Sequence, residues 1–219
     1  MIDTTVIYYT SNRETESFEG EIIKELLKSS GDLPVVSVSQ KAINFGTNIC
    51  VGDVGASNIN TKRQILLGLA EAKTKYVHMA EADFLYPPEY FQFIPERDDT
   101  VYYLDNLFII WKDRPRFHRK RNSDGALVCN RVYLKNLLSK ALEYAPEWFD
   151  GRDEPNYEGK LKHNTVLYSG RRLPFTTKIS AVSFKTGNGV SWSCPHSKKH
   201  YKVRLPRWGT AQALNERFK

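Results

Sequence analysis

Residues 75–88 read KYVHMAEADFLYPP and predict a buried strand that ends in two acidic residues. Lys75–Ala80 form a short, mainly apolar run typical of a buried strand, and the prolines at 87–88 cannot continue its hydrogen-bond ladder. Glu81 and Asp83 therefore fall at the carboxyl end of a strand, where open α/β sheets bind ligands. An isolated E-x-D pair is more often a solvated loop, so the surrounding sequence has to distinguish the two.

The cation that such a pair prefers follows from its chemistry. Mg²⁺ and Mn²⁺ are hard ions that favour oxygen ligands, and they often bridge protein carboxylates to the phosphates of a substrate. The pair at Glu81 and Asp83 thus predicts Mg²⁺ or Mn²⁺ as the cofactor and a phosphate ester as the ligand.

Strand and helix patterns alternate on the amino-terminal side of the acidic pair. The predicted helices are Ser17–Ser29 and Asn60–Ala72, and the predicted strands are Val6–Tyr9, Val35–Val38 and Ile49–Val51. Together with the strand before the acidic pair, this order predicts an α/β sandwich with a mainly parallel central sheet. Lys62 and Arg63 in the first turn of the second helix oppose its macrodipole, so we expect them to serve a bound anion.

The second half of the chain has a different character and predicts a smaller mixed region. The predicted strands are Val101–Tyr103, Leu107–Trp111, Ala126–Cys129 and Ile179–Phe184, and the predicted helix is Arg131–Tyr144. We expect the first two strands to form a hairpin or edge ribbon and Ile179–Phe184 to be the last strand.

The composition is that of a folded globular protein. The chain has 219 residues, of which 41% are hydrophobic and 26% charged, and it suits one domain. No run approaches the roughly 20 apolar residues of a membrane span, and the amino terminus does not resemble a signal peptide. We therefore expect a soluble, cytoplasmic protein without an integral membrane segment. Cys50, Cys129 and Cys194 are too scattered for a disulfide framework or a zinc site, so we expect reduced thiols.

The net charge of +7 is concentrated in two segments with interleaved aromatic residues, 112–121 and 196–219. Basic side chains that contact phosphates and aromatic rings that stack on bases are typical of a nucleic-acid surface. A solvated basic face is the alternative. The residues expected to bind phosphate are Arg116, Arg119, Lys120, Arg121, Lys198 and Lys199.

Four stretches in order carry a resemblance to a known family: VIYYTSNR (6–13), GDVGASN (52–58), KRQILLGLAEAKTKYV (62–77) and AEADFLYPPEYF (80–91). They resemble the nucleotide-sugar glycosyltransferases of the GT-A fold, close in pattern to the inverting enzymes of family 2. The resemblance covers roughly residues 5–160 and implies an α/β/α sandwich. The chain departs from the family pattern by Glu81 in place of the first Asp, Gln64 in place of Asn, and a longer loop after the second strand.

The resemblance implies roles for single residues in donor binding. Asp83 is the expected metal ligand, with Glu81 as a contact to the ribose or to the metal through water. Asp53 would contact the uracil or ribose, and Arg63 would hold Asp83 or the pyrophosphate. The residues expected along the nucleotide are Thr10, Asn12 and Arg13. Each of these residues also has a purely structural interpretation, such as a turn cap or a surface ion pair.

The resemblance also implies a general base and a further metal contact. Inverting transfer requires a base for the acceptor hydroxyl, and Asp153 and Glu154 are the candidates, with Asp150 in reserve. Several GT-A enzymes close the metal site with a carboxyl-terminal histidine, which here is His196. A surface or phosphate-facing position is the alternative for that histidine.

We expect one domain, 1–219, with a nucleotide-sugar-binding half (1–95), an acceptor-binding half (96–185) and a basic tail (186–219). The basic segments favour DNA as the acceptor, for example a hydroxymethylated pyrimidine in viral DNA, which the site could reach only if it is flipped or single-stranded. A cell-surface polysaccharide or lipid-linked glycan is the alternative acceptor. Two other classes stay open, a nucleotidyltransferase and a non-catalytic nucleic-acid-binding module.

Overall fold

The computed structural model of the protein describes residues 3–111, 114–151, 153–157, 170–188 and 201–218. Its helices are α1 (Glu16–Ser30), α2 (Asn58–Glu71), α3 (Pro88–Gln92), α4 (Arg131–Ala141) and α5 (Ala211–Arg217). Its strands are β1 (Thr4–Thr10), β2 (Val35–Ser39), β3 (Thr47–Cys50), β4 (Tyr76–Glu81), β5 (Phe84–Leu85), β6 (Thr100–Leu104), β7 (Leu107–Trp111), β8 (Arg114–Lys120), β9 (Leu127–Asn130), β10 (Arg171–Phe175), β11 (Ala181–Lys185), β12 (Arg204–Leu205) and β13 (Gly209–Thr210). The helices and strands expected from the sequence are present, with ends displaced by a few residues. Within these ranges no helix combines the length and the apolar character that crossing a bilayer requires.

In the described part of the chain, the main sheet has seven strands in the order β10-β6-β9-β4-β1-β2-β3. β9 runs antiparallel to both of its neighbours, and the other adjacent pairs are parallel. The expected mainly parallel sheet is therefore confirmed. The strand before the acidic pair, β4, lies near the centre of this sheet, beside β1.

The residues of β1 show that the main sheet is covered on both faces. All of them are buried, and their side chains alternate between two apolar clusters, with Val6 and Tyr8 in one and Ile7 and Tyr9 in the other. Residues of α1 and α3 complete the first cluster, and residues of α2 and α4 complete the second. A strand covered on both faces has to be apolar at nearly every position, because successive side chains point to opposite faces. The architecture is an α/β/α sandwich.

A second, mixed sheet has the order β5-β11-β7-β8. The expected pairing of β6 with β7 is wrong, because β6 pairs within the main sheet and β7 pairs with β11 and β8. The connection between β6 and β7 crosses to the second sheet beside the connection between β10 and β11. Asp105 N–H donates to the Phe175 carbonyl (3.1 Å), and Asn106 Nδ2 donates to the Thr177 carbonyl (2.8 Å). Because both connections pass from the main sheet to the second sheet side by side, β6 is parallel to β10 in the first and β7 is parallel to β11 in the second.

The first basic segment of the sequence forms β8, at the edge of the second sheet. Phe117 in its centre is fully buried. The Phe117 N–H donates to the Tyr201 carbonyl (3.1 Å), and the Tyr201 N–H donates to the Phe117 carbonyl (2.7 Å). The two basic segments of the sequence therefore meet along this edge.

The carboxyl-terminal segment 201–218 is packed onto the domain, and β11 is not the last strand, since β12 and β13 follow it. Trp208 and other apolar residues of this segment fill a third cluster with α1 and β11. Arg217 donates to Glu25 (2.7 Å) and Glu21 (3.3 Å) of α1. Part of the basic excess thus balances carboxylates of the same chain.

Two helical glycines provide a matched test of how closely α2 packs on β1. A Cβ at Gly68 would lie 2.7 Å from Ile7 Cγ2, whereas a Cβ at Gly20 in α1 would meet nothing within 4 Å. Alanine gains about 0.5–1 kcal/mol over glycine in a helix, but overpacking costs about 1–3 kcal/mol. We expect Gly20→Ala to raise the free energy of unfolding and Gly68→Ala to lower it, as measured by urea denaturation. Equal stabilisation by both substitutions would contradict a close contact between α2 and β1.

Candidate active site

The main sheet opens onto a cavity at the carboxyl ends of β1 and β4. Its walls come from the connections that follow β1 and precede α2, from the first turns of α2, from the end of β4, from the loop before β9 and from the end of β11. Glu81 is the last residue of β4, and Asp83 follows in the turn to β5. The structure therefore brings both acids of the sequence motif to one cavity.

Glu81 is held in place by residues of three different segments. The Tyr9 hydroxyl donates to Glu81 Oε1 (2.9 Å), and the Glu81 N–H donates to the Tyr86 hydroxyl oxygen (2.9 Å). A Cβ at position 125 would lie 2.4 Å from Glu81 Oε2, so Gly125 leaves the room that this carboxylate occupies. The side chain is half-buried and lines the cavity. Burial, followed by the charge of Asp83, raises the pKa of Glu81 to about 7.

Asp83 is fixed by the strand that runs beside its turn. Its carbonyl accepts from the Phe184 N–H of β11 (2.7 Å), and its Oδ2 lies 3.5 Å from Lys185 Nζ. Its Oδ1 is buried and has no hydrogen-bond partner among the described residues. Burial acts to lower the pKa of Lys185, but the carboxylates of Asp83 and Glu81 outweigh it and raise that pKa. Lys185 therefore stays protonated beside the acidic pair.

Lysines from three distant parts of the sequence converge on these acids. Lys62 and Lys185 line the cavity, and the charge of Lys120 acts on Glu81 and Asp83. Burial, followed by the charge of Lys185, lowers the pKa of Lys120. A cluster of partly buried cations attracts phosphate groups. The sequence indicated Lys62 and Lys120, but it gave no sign of Lys185, which becomes a site residue only because β11 pairs with β5.

Arg63 and Asp53, which the resemblance assigned to the donor, do not line the cavity. Arg63 Nη2 donates to three carbonyls of the chain after α4, at 2.9 to 3.2 Å. Asp53 is an exposed loop residue. Adjacent helical residues point about 100° apart, so Lys62 faces the cavity while Arg63 connects α2 to the chain after α4. We therefore expect the anion at this helix to contact Lys62.

The connection after β1 is shaped by the side chains of Thr10 and Asn12. Thr10 lines the cavity, and its hydroxyl donates to Glu19 Oε1 (2.8 Å). Asn12 has a φ of 50°, a left-handed conformation that asparagine tolerates better than most residues. Its Oδ1 accepts from the N–H groups of Gln40 and Lys41, both at 2.9 Å, and it is not part of the cavity wall. Asn12 thus fixes the loop, whereas the resemblance implied a position along the nucleotide.

Arg13, on one side of the cavity, is paired with Asp150 behind it. Arg13 lines the cavity, and Arg13 Nη2 lies 3.2 Å from Asp150 Oδ1. The same oxygen accepts from the Ala56 N–H (3.0 Å). A Cβ at Gly55 would lie 2.3 Å from the Cβ of Asp150, so the glycine allows the two loops to touch. Asp150, the reserve candidate for the base, does not line the cavity and instead holds Arg13 and the loop at Ala56 in place.

Asp153 and Glu154, the expected bases, do not line the cavity either. Asp153 is exposed. Glu154 Oε1 accepts from the Ile59 N–H (2.8 Å) in the first turn of α2. A carboxylate in that position satisfies a free helix donor and is favoured by the helix dipole. The structure therefore gives Glu154 a capping role.

Asp124, in the loop before β9, is a cavity-lining acid that the sequence did not single out. Its Oδ1 is buried and has no hydrogen-bond partner within the described ranges. Burial raises the pKa of Asp124, while the charges of Arg172, Lys120 and Lys62 oppose that rise. The signal that could have revealed it is the Ser-Asp-Gly turn at 123–125, directly before a strand of the main sheet.

The other predicted phosphate-binding residues lie away from the cavity or outside the described residues. Arg116, Arg119 and Arg121 are exposed on or next to β8. His196, Lys198 and Lys199 fall outside the ranges that the structure describes. Their expected roles stay predictions.

The acidic pair fits a divalent ion that is shared with a substrate. The described ranges contain no group of three or more His, Cys, Asp or Glu side chains able to hold a metal. Mg²⁺ in nucleotide sites, however, often uses only one or two carboxylates and completes its shell with phosphate oxygens and water. Asp83 Oδ1, buried without a partner, is an oxygen of this kind. Asp83, with Glu81 beside it, is therefore the pair that would hold Mg²⁺ or Mn²⁺.

Comparison of the sequence with protein-family models and with curated proteins finds no match. Solved structures, in contrast, are similar. S. aureus TarS 1-349 in complex with UDP-GlcNAc has a TM-score of 0.55 and 14% identity, covering 84% of this chain and 59% of that chain. S. aureus TarS 1-349 in another crystal structure has a TM-score of 0.52 and 14% identity, covering 84% of this chain and 60% of that chain.

A third similar structure is the inositol-1-phosphate CTP transferase from T. maritima, with a TM-score of 0.51 and 12% identity, covering 83% of this chain and 89% of that chain. The chain spans about 60% of the length of the TarS chains. Similarity at these identities shows the fold. The protein has a GT-A-like α/β/α fold, as the sequence predicted.

The raised pKa of Glu81 predicts a pH-dependent cost of folding. An acid whose pKa is near 7 when folded and about 4.5 when unfolded is favourable below pH 4.5, and its contribution to stability is lost as the pH rises through 7. Glu81→Gln removes this loss and keeps an acceptor for Tyr9. In metal-free buffer we expect the variant to match the native protein near pH 4.5 and to exceed its free energy of unfolding by roughly 1–3 kcal/mol at pH 8. A difference that does not change with pH would contradict the raised pKa.

Proposed function

We propose that the protein is a metal-dependent, inverting glycosyltransferase that moves a sugar from a UDP-sugar to a hydroxyl group of its acceptor. The observation that carries this proposal is the Glu81–Asp83 pair, which lies with Lys62 and Lys185 at the end of a GT-A-like sheet. TarS, which has a similar fold, has been solved with UDP-GlcNAc. That ligand supports a nucleotide-sugar as the donor.

In this proposal the diphosphate of the donor lies beside Asp83 and the nucleoside extends over the ends of β1 and β2. Lys62, Lys185 and Arg13 face that space and stabilise the negative charge that grows on the leaving diphosphate. Mg²⁺ or Mn²⁺ held by Asp83 would supply further positive charge to the leaving diphosphate. Glu81, held by Tyr9 and packed against Gly125, sets the position of the turn that carries Asp83.

A nucleotidyltransferase would use a similar acidic pair, and the T. maritima CTP transferase shares the fold. The connection after β1 nevertheless argues for the sugar donor. Residues 10–17 read TSNRETES and contain no glycine. A loop of this kind lacks the backbone freedom with which Gly-rich loops surround a triphosphate. Here the loop is also fixed internally by Asn12.

The arrangement of β8 supports a nucleic-acid acceptor. Arg116, Arg119 and Arg121 are exposed, whereas the charge of Lys120 acts on the acids of the cavity. The strand thus leads from an exposed basic surface to the site. Its bridge to Tyr201 adds the exposed basic residues Lys202 and Arg204 to the same edge. A phosphate backbone along this edge would present a base hydroxyl, as in a hydroxymethylated pyrimidine, to the cavity.

Donor binding is tested by thermal unfolding with UDP-glucose, UDP-GlcNAc or CTP, each with and without Mn²⁺. We expect one UDP-sugar with Mn²⁺ to stabilise the native protein by about 2.7 kcal/mol at 100 times its Kd, or roughly 5–10 °C. Asp83→Ala should lose this shift, because it removes the metal ligand.

The matched control for Asp83→Ala is Asp99→Ala, since Asp99 is an exposed acid that pairs with Arg97 outside the cavity. This variant should keep the full ligand-induced shift. Stabilisation by CTP alone would support a nucleotidyltransferase. No shift with any nucleotide would reject both enzymes.

Acceptor binding is tested with Arg116→Ala/Arg119→Ala, using fluorescence anisotropy of a labelled single-stranded oligonucleotide at several salt concentrations. Loss of two phosphate contacts should weaken binding and reduce the slope of log K against log salt by about 1–2. Lys135→Ala/Lys140→Ala is the control, because these exposed lysines lie on α4, outside the β8 edge. Equal effects of both pairs would show that the β8 edge has no special role.

A further inference from the structure

We propose that Asp124 is the general base that takes the proton from the acceptor hydroxyl. This inference rests on the proposed function, because a base of this kind is needed only if a sugar is transferred with inversion. It replaces the expected bases, of which Asp153 is exposed and Glu154 binds the Ile59 N–H. The grounds are the position of Asp124, the partners of the other acids in the cavity, and the charges around it.

Two of the cavity acids already have partners that fix their oxygens. The carboxylates that line the cavity are Glu14, Glu19, Glu81, Asp83 and Asp124. Glu19 accepts from the Thr10 hydroxyl (2.8 Å) and from Asn12 Nδ2 (3.2 Å), and Glu14 accepts from the Thr186 hydroxyl. Both hold loops of the cavity wall together, so neither is available to a reacting hydroxyl.

The acidic pair is also engaged. Glu81 accepts from the Tyr9 hydroxyl, and Asp83 lies beside Lys185, with its other oxygen suited to the metal. Asp124 differs from Glu14, Glu19 and Glu81, since its Oδ1 is buried and has no hydrogen-bond partner among the described residues, and it differs from Asp83, whose other oxygen lies beside Lys185. A carboxylate that is removed from water and not hydrogen-bonded is a stronger base than a solvated one. It is therefore the cavity acid that is suited to receive a proton.

The charges around Asp124 suit a base that has to start ionised. Arg172, Lys120 and Lys62 act on it and oppose the effect of burial on its pKa. Arg172 is itself positioned over the Tyr103 ring, with its Cζ 4.8 Å from the ring centre. The nearby cations stabilise the ionised carboxylate before the reaction. Burial favours the neutral, protonated form after the proton has been transferred. Asp124 also adjoins Gly125, which packs against Glu81, so the base lies close to the donor side.

The step is balanced without a further reactant. The acceptor oxygen forms a bond to the anomeric carbon of the sugar while its proton passes to the Asp124 carboxylate. The bond between that carbon and the diphosphate oxygen breaks, and its electron pair leaves with UDP. Configuration at the anomeric carbon is inverted in this single displacement. Asp124 returns its proton to solvent after the product departs.

The experiment measures UDP release and sugar transfer by the native protein and by Asp124→Asn, Asp124→Glu and Asp124→Ala. The probes are UDP-glucose and UDP-GlcNAc with Mn²⁺, with water or an oligonucleotide that contains hydroxymethylcytosine as the acceptor. We expect Asp124→Asn to lower kcat by about 10²–10⁴-fold, with the donor KM and the donor-induced thermal shift within threefold of native. We expect Asp124→Glu to retain part of the activity, and added formate to restore part of the activity of Asp124→Ala.

The controls separate a base from other roles. Asp99→Asn, outside the cavity, should keep native kcat. Loss of the donor-induced shift in Asp124→Asn would overturn the proposal, because it would make Asp124 a donor-binding residue. Retention of more than a third of kcat in Asp124→Asn, or a larger loss in Asp153→Asn or Glu154→Gln, would also overturn it. If Asp124→Asn fails to fold, restoration of Asp124→Ala by formate decides the question, and absence of restoration counts against the base.

Failure of the proposed function gives a different result. In that case the native protein releases no UDP from either donor with either acceptor, and the proposals for both transfer and base are rejected together. If the native protein transfers sugar and Asp124→Asn transfers it at the same rate, only the proposal that Asp124 is the base is rejected.

Discussion

The structure depends on keeping several carboxylates partly buried in one cavity at the end of β4. Taking a charged group out of water costs several kcal/mol unless other groups compensate. At Glu81 and Asp83 the compensation comes from Tyr9 of β1, Tyr86 after β5, and Lys185 of β11. Because Tyr9 belongs to the main sheet and Lys185 to the second sheet, the acids can be accommodated only when both sheets have formed. The electrostatics of the site and the folding of the domain are therefore coupled, and the high pKa of Glu81 measures what remains uncompensated.

The second sheet is what brings the positive charges to this place. β5 follows the acidic turn directly and pairs with β11, which puts Lys185 next to Asp83. β7 joins β11 to β8, and β8 ends at Lys120. The exposed arginines Arg116 and Arg119 and the site residue Lys120 thus belong to the same strand, β8. Glu81 ends a strand of the main sheet, and the small sheet contributes Lys120 and Lys185, so acids and cations meet along the line between the two sheets.

The main sheet could be predicted from local sequence patterns. The second sheet and the residues that it brings to the site could not, because they depend on pairing between strands that are far apart in the sequence. The helix over Ser17–Ser29 has an apolar repeat of helical spacing, and the strand before Glu81 is a short apolar run followed by prolines that end it. Lys185 could not be recognised, because it is an ordinary strand-end residue until β11 is placed beside β5. The hairpin expected between β6 and β7 failed for the same reason, since their parallel partners come from much later in the chain. Arg63 and Glu154 had suitable chemistry, but helix phase and helix capping gave them structural positions.

The edge position of β8 has a consequence for how the protein behaves at high concentration. An open strand edge is a template on which a second copy can pair, and natural proteins guard such edges with charge. The exposed guanidinium groups of Arg116 and Arg119 repel the same strand of another molecule, and the backbone of Phe117 is already occupied by Tyr201. The positive charge that would attract a polyanion therefore also protects the chain from self-association. Neutralising those arginines removes that protection and exposes a route to aggregation.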